Sequence, residues 1–150
     1  MKLVFALCFT FLTVLSFSNA ADIWTDCSGP SATLKLSKVV ITPDPPVRNM
    51  NLTLFVEGSL SKPIKEGTTV TYKIWYEGFV LKKGTDDLCQ DLIEKDTPKK
   101  CPFLPNTDYK QSYTTALPPK TPKGHYKAKV VVTDQDANEV HCIALDFKLK

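Results

Sequence analysis

Signatures of catalysis and metal binding are what this 150-residue chain has least of. It holds two histidines, and neither belongs to an H-E-x-x-H arrangement; no C-x-x-C pair, G-x-S-x-G elbow or phosphate-cradling glycine loop occurs. Those gaps remove the usual starting points for a metalloprotease, a serine hydrolase and a nucleotide-using enzyme. Paired acids do occur at Asp86-Asp87 and at Asp134 with Asp136, but in polar segments where turns and solvated charge account for them, and none has calcium-loop spacing. His125 shares strand parity with lysines and reads as a surface residue. His141 shares parity with Ile143 and reads as a strand-end residue with a satisfied ring. No catalytic residue, metal or cofactor is expected. Charge of one sign is also missing: 19 basic residues against 16 acidic ones leave a formal net charge of +3, too near neutral for a nucleic-acid binder.

Long apolar runs are absent except one. Lys2 precedes an unbroken run from Leu3 to Leu15, and Ser18-Asn19-Ala20 supplies the small residues that a signal peptidase reads. The run is shorter than the roughly 20 residues needed to span a bilayer, so residues 1–20 read as a secretory signal peptide and Ala21 as the first mature residue. Residues 21–150 then form one domain, large enough to bury about two-thirds of its unfolded surface. Loss of Lys2 leaves 18 basic and 16 acidic residues, a mature net charge of +2. The expected destination is the outside of the cell or the endolysosomal lumen.

Cys8 leaves with the signal, so Cys27, Cys89, Cys101 and Cys142 remain. An even number in a secreted domain reads as two disulfides, with three connectivities available. Zinc held by these thiols with His125 or His141 is the competing reading, disfavoured by the spacing and by an oxidising compartment. Cys27 with Cys142 and Cys89 with Cys101 is the preferred pairing. The first would clamp the incoming chain to the final strand, and the second would close a short loop.

What the chain does have is alternation of period two. Tyr126, Ala128, Val130 and Val132 alternate with Lys127, Lys129, Val131 and Thr133, and after a polar loop Ile143, Leu145, Phe147 and Leu149 repeat the pattern. Those two runs predict an antiparallel hairpin with one wet face. Its other face needs a second layer. Leu34 to Ile41 changes parity at Ser37-Lys38, which predicts a bulge or a break. The proline segment Thr42 to Pro46 excludes helix and central strand. The next strand begins at Leu52 and continues through Leu54 and Val56; Asn51-Leu52-Thr53 is a glycosylation sequon with Asn51 on the wet side. Val70, Tyr72, Ile74 and Tyr76 mark a long strand that ends in Gly78-Phe79-Val80-Leu81. Leu88, Leu92 and Ile93 have helical spacing, and Tyr109 to Thr115 is a further strand. Six to eight short strands without a long helix predict an all-β, immunoglobulin-like two-sheet sandwich.

Ile23-Trp24 with Cys27, the run Ile41-Thr42-Pro43-Asp44-Pro45-Pro46-Val47-Arg48 before Asn51-Leu52-Thr53, Asp87-Leu88-Cys89, Cys101-Pro102, Pro122-Lys123-Gly124-His125-Tyr126 and the terminal Cys142 together carry a resemblance. In that order they resemble the ML lipid-recognition family, most of all its phosphatidylglycerol/phosphatidylinositol transfer proteins and more distantly the Niemann-Pick C-type lysosomal sterol carrier. The resemblance implies a sandwich that holds one lipid between its sheets without catalysis and moves it between membranes, and it implies the same cysteine pairing. The extra cysteine pair of the sterol carrier is missing here, so a phospholipid ligand is expected ahead of a sterol. An extracellular interaction module with a solid immunoglobulin-like core is the remaining alternative.

Strand parity then nominates Leu54, Val56, Val70, Tyr72, Ile74, Tyr76, Tyr126, Val130, Val132, Ile143, Leu145 and Phe147 as cavity residues. Apolar surplus next to lysine pairs nominates a mouth that meets anionic membrane: Phe79, Val80 and Leu81 with Lys82 and Lys83, and Phe103 and Leu104 with Lys99 and Lys100. A single mouth requires the two groups to lie at one end of the sandwich. A lipid and a transient membrane contact are the expected partners, and the protein is expected to be a monomer.

Overall fold

The computed structural model describes residues 23–95, 97 and 99–150; the signal-peptide expectation lies outside them. Eight strands and one short helix follow in the order β1 (Trp24–Asp26), β2 (Leu34–Thr42), β3 (Asn51–Leu60), β4 (Thr69–Tyr76), β5 (Phe79–Asp87), α1 (Leu88–Glu94), β6 (Asp108–Ala116), β7 (Gly124–Thr133) and β8 (Glu139–Leu149). They build two antiparallel sheets, a larger one of order β1-β8-β7-β4-β5 and a smaller one of order β2-β3-β6. This is the two-layer sandwich that alternation predicts, because each sheet has one apolar face to cover.

The β7–β8 hairpin pairs Tyr126 with Phe147, Ala128 with Leu145 and Val130 with Ile143, bringing the apolar sets of both strands onto one face. Its loop is held by Asp134, whose carboxylate accepts hydrogen bonds from the backbone N–H groups of Asp136 (2.9 Å) and Asn138 (2.8 Å). Burial alone would raise that carboxyl, but these donors hold it below the usual carboxylate range. The parity change at Ser37 is a bulge: register between β2 and β3 shifts between Leu36 and Lys38. Opposite it stands Gly58, where an added Cβ would lie 2.3 Å from the Lys35 carbonyl oxygen, so close an approach that only glycine fits.

Two local readings need correction. The long strand does not run on through Leu81; it turns at Glu77 and Gly78, both with positive φ (47° and 86°), and Phe79 starts a new edge strand. A two-residue turn with both residues left-handed is the kind that matches strand twist. Glu77 holds that conformation because its N–H donates to the His125 carbonyl and its carboxylate accepts from the His125 N–H. Helix α1 exists, with Asp87 as N-cap accepting from the Gln90 N–H at 2.8 Å, but it buries Leu88, Cys89 and Leu92 and leaves Ile93 54% exposed.

Core and cavity divide the sandwich lengthwise. At one end, called closed here, Leu34, Val56, Leu60, Ile64, Leu88, Leu92, Tyr109, Val132, Val140 and Ile143 pack into a continuous cluster. Both disulfides, Cys27–Cys142 and Cys89–Cys101, tie that end, with Cα separations of 4.9 and 5.5 Å. Toward the opposite, loop end the β2–β3, β4–β5 and β6–β7 connections come together, as the Asn49 N–H bond to the Leu117 carbonyl shows for two of them.

Candidate functional site

Between the sheets, from the loop end along the β5 edge as far as α1, where Leu88 of the closed-end cluster also lines it, lies a cavity of about 440 Å³. Strand β4 contributes Val70, Tyr72 and Ile74, β7 contributes Tyr126, Ala128 and Val130, and β8 contributes Leu145 and Phe147. The smaller sheet faces them with Leu52, Tyr113 and Thr115, and Leu81, Leu117 and Thr121 line the part nearest the loops. On the edge between β5 and β6 the lining becomes polar with Asp86, Asp91 and Lys95, the last two joined by an ion pair of 2.9 Å.

The cavity stays open because its aromatic walls lean on one another rather than on the facing sheet. Tyr126 stacks on Phe147 with centroids 5.7 Å apart and meets Tyr76 at 5.0 Å. Its hydroxyl donates to the Pro122 carbonyl (2.8 Å), and the Tyr76 hydroxyl donates to that of Lys123 (3.0 Å), so both polar tips are used by the β6–β7 loop. Toward the closed end, the Tyr109 and Tyr113 hydroxyls share a hydrogen bond of 2.8 Å. Burial, with the charge of Asp91, pushes Tyr113 up to about 12, so both phenols are neutral at any physiological pH.

Of the residues nominated by parity, Val70, Tyr72, Ile74, Tyr126, Val130, Leu145 and Phe147 line the cavity. Val56, Val132 and Ile143 are buried instead in the closed-end cluster, Leu54 packs against that cluster, and Tyr76 stands outside against Tyr126. Parity reports the face a residue belongs to but not its depth along the sandwich. Leu52, Tyr113 and Thr115 were missed, although Leu52 shares strand parity with Leu54 and Val56, and the spacing of Tyr109, Gln111, Tyr113 and Thr115 put the other two on one face.

The single mouth is corrected by the register. Phe79 pairs with Tyr76 at the loop end, while Asp87 pairs with Thr69, eight residues and roughly 26 Å away. Helix α1 and the Cys89–Cys101 bond hold Lys99, Lys100, Phe103 and Leu104 near that far end. Phe103 bridges to Ile64 and is buried edge-on against Tyr109 at 5.2 Å, so it is core and not rim. Phe79, Val80 and Leu81 are 79%, 50% and 58% exposed, and their companions are Val47 and Met50 of the β2–β3 loop, at 44% and 51%. Arg48, Lys120 and Lys123 stand in the same loops, and Lys82 follows on β5 with its ammonium 5.3 Å from the Tyr72 ring centroid.

The two histidines diverge. His125 is exposed and bonds Asp146, which draws that carboxyl below its usual range. His141 is buried beside the core, and the expected satisfied ring is not found: its Nδ1 has no hydrogen-bond partner among the described residues. Among the described residues no cluster of three or more His, Cys, Asp or Glu side chains could hold a metal.

Residues 21–149 match the family model of the ML domain. The chain belongs to the ML-domain family. This ML domain is 30% identical, over 92% of its length and 93% of the relative's, to "Putative phosphatidylglycerol/phosphatidylinositol transfer protein 2" of Dictyostelium discoideum. It is 33% identical to the phosphatidylglycerol/phosphatidylinositol transfer protein of Eremothecium gossypii, over 75% of this chain and 53% of that one. Its fold is that of a Niemann-Pick type C2 protein from the Japanese carpenter ant, with a TM-score of 0.67, 17% identity and coverage of 85% of this chain and 99% of the other. Chicken MD-1, solved in complex with lipid IVa, superimposes with a TM-score of 0.59 at 18% identity, covering 83% and 86%.

Proposed function

We propose that this protein is a non-catalytic carrier that takes one lipid of the phosphatidylglycerol or phosphatidylinositol class between its sheets and delivers it to another membrane. The observation that carries the reading is the 440 Å³ apolar cavity with polar groups confined to its edge. It falls within the roughly 300 to 1,000 Å³ of small-molecule sites. An acyl chain gains about 0.8 kcal/mol per methylene moved from water into such a space. With each methylene about the size of a water molecule, the volume holds on the order of fifteen of them. That is one acyl chain, so a diacyl lipid enters chain first and widens the gap between β5 and β6 for the second.

Names of relatives support the phospholipid class, and the cavity argues against a solid-core interaction module. The same volume suits a compact sterol skeleton, which keeps a sterol carrier as the second reading. The loop end is the docking end: Val47, Met50, Phe79, Val80 and Leu81 dip into the interface while Arg48, Lys82, Lys120 and Lys123 meet anionic headgroups. After removal of residues 1–20 the monomeric protein works in the secretory or endolysosomal lumen or outside the cell, with exposed Asn51 as the glycan acceptor.

The deciding experiment is native mass spectrometry of the purified protein, combined with transfer of labelled lipid between vesicles. One bound phospholipid per chain and accelerated transfer are expected. A lipid-free protein that leaves transfer at the spontaneous rate would refute carriage, and displacement of phospholipid by equimolar sterol would favour the sterol reading.

A further inference from the structure

The outer face of the larger sheet carries an arrangement that lipid carriage does not use. Lys73 on β4 is directly opposite Lys83 on β5 and directly opposite Lys129 on β7, so three exposed lysines stand in one cross-strand row. None of the three has an acidic partner among the described residues, and like charges placed opposite one another in a sheet are destabilising. A row that costs stability and is not neutralised within the chain is explained by an anion from outside.

The next row holds Trp75 and Lys127, and Lys127 is ion-paired at 3.2 Å with Asp146 opposite it, a carboxylate that also borders the groove, so the unneutralised charge is that of Lys129 and Lys73. Between Trp75 and β1 runs a groove of about 610 Å³ with Ala144 on its floor and Lys127 and Lys129 along it; both tryptophans of the chain, Trp24 and Trp75, line it. The Lys73 ammonium lies 4.9 Å from the centroid of the Trp75 ring, placing a cation and an apolar ring face together.

We propose that this groove binds an acidic oligosaccharide, a chain of sugar rings bearing carboxylate or sulfate. The C–H face of a sugar packs on an indole ring face, and its anionic groups meet Lys129 and the neighbouring Lys73. A bilayer is a poorer occupant because it is flat, whereas Trp24, Trp75, Lys127 and Lys129 line a concavity, with the Lys73 ammonium beside it at the Trp75 ring, and the projecting apolar residues are at the loop end. The groove and the lipid cavity lie across the larger sheet from one another, with Lys127, Ala128 and Leu145 bordering both.

The test is titration of the full mature protein with a sulfated, uronate-containing hexasaccharide prepared from heparin, followed by tryptophan fluorescence and calorimetry at two salt concentrations. Saturable binding, weakened by salt, is expected. Lys73→Gln with Lys129→Gln should weaken it about tenfold, while Lys35→Gln with Lys38→Gln, an equal change of charge on the smaller sheet, should change it less than about twofold. Trp75→Phe should reduce the fluorescence response to the part that Trp24 reports and weaken calorimetric binding, with lipid loading by mass spectrometry unchanged in every variant. Removing Lys73 should also raise the melting temperature, which separates lost binding from lost folding. Equal weakening by the two double variants, equal affinity for a neutral maltohexaose, or binding to anionic vesicles alone that the Lys73/Lys129 variant loses would overturn the proposal.

Discussion

At the scale of single residues, His141 and Gly58 show how much a buried position can demand. Burial lowers the His141 ring to about 4 from an ordinary 6.5, with nearby Asp26 only partly opposing the shift. The folded state therefore keeps the ring neutral while the unfolded chain protonates it below pH 6.5. Its contribution to stability is present above that pH and is lost as pH falls toward 4, by about 3 kcal/mol in all. Urea midpoints at pH 7, 5.5 and 4.5 should show the decline, and His141→Leu should flatten that slope while retaining stability at pH 7. A variant with an unchanged slope would assign the acid sensitivity to carboxylates. Gly58 is a matter of space: Gly58→Ala forces a Cβ against the Lys35 carbonyl. The expected loss is about 1 to 3 kcal/mol by thermal melting, with lipid binding preserved well below the transition.

Among elements, the β4–β5 hairpin matters most to the proposed carrier, since its tip combines exposed Phe79, Val80 and Leu81 with nearness to the cavity through Leu81. Replacing the three by serine should weaken binding to anionic vesicles by about tenfold or more and slow transfer, because the tip supplies the apolar insertion. Leu104→Ser is the matched control, 60% exposed but at the closed end. It should leave transfer unchanged; equal slowing would return the closed end to the docking surface. Glutamine at Arg48, Lys120 and Lys123 should slow transfer from anionic vesicles at low salt and spare neutral ones, as about 1 kcal/mol per basic residue is screened away by salt.

For the molecule as a whole, stability is concentrated away from the cavity. The Cys27–Cys142 bond closes a separation of 115 residues and the Cys89–Cys101 bond one of 12, worth roughly 4 to 5 and roughly 3 kcal/mol in the chain-entropy view. Serine at both positions of the long bridge should therefore lower the melting temperature more than serine at both positions of the short one. The reverse order would show that the α1 region needs its staple more than β1 needs its clamp. A tightly packed closed end leaves the loop end free to open for a ligand, the division of labour expected where binding elements come from the less stable part of a fold.

Alternation along β4, β7 and β8 was enough to determine two facing sheets and which side chains point inward, because strand periodicity is local and one register slip would expose every apolar residue. The bulge at Ser37 was legible for the same reason, whereas the cysteine count left three connectivities, and the preference for Cys27–Cys142 with Cys89–Cys101 came from the long clamp and short loop it makes and from the family resemblance. Strand β5 was not, since Lys82 to Asp87 form a polar edge strand with little to alternate against. Only the tertiary structure decided that Val56, Val132 and Ile143 pack solid while Val70, Ile74 and Phe147 surround a cavity, and that Phe103 lies roughly a strand's length from Phe79. Depth along the sandwich and the end at which a loop emerges depend on how distant strands register against one another, and no period within a single segment carries that information.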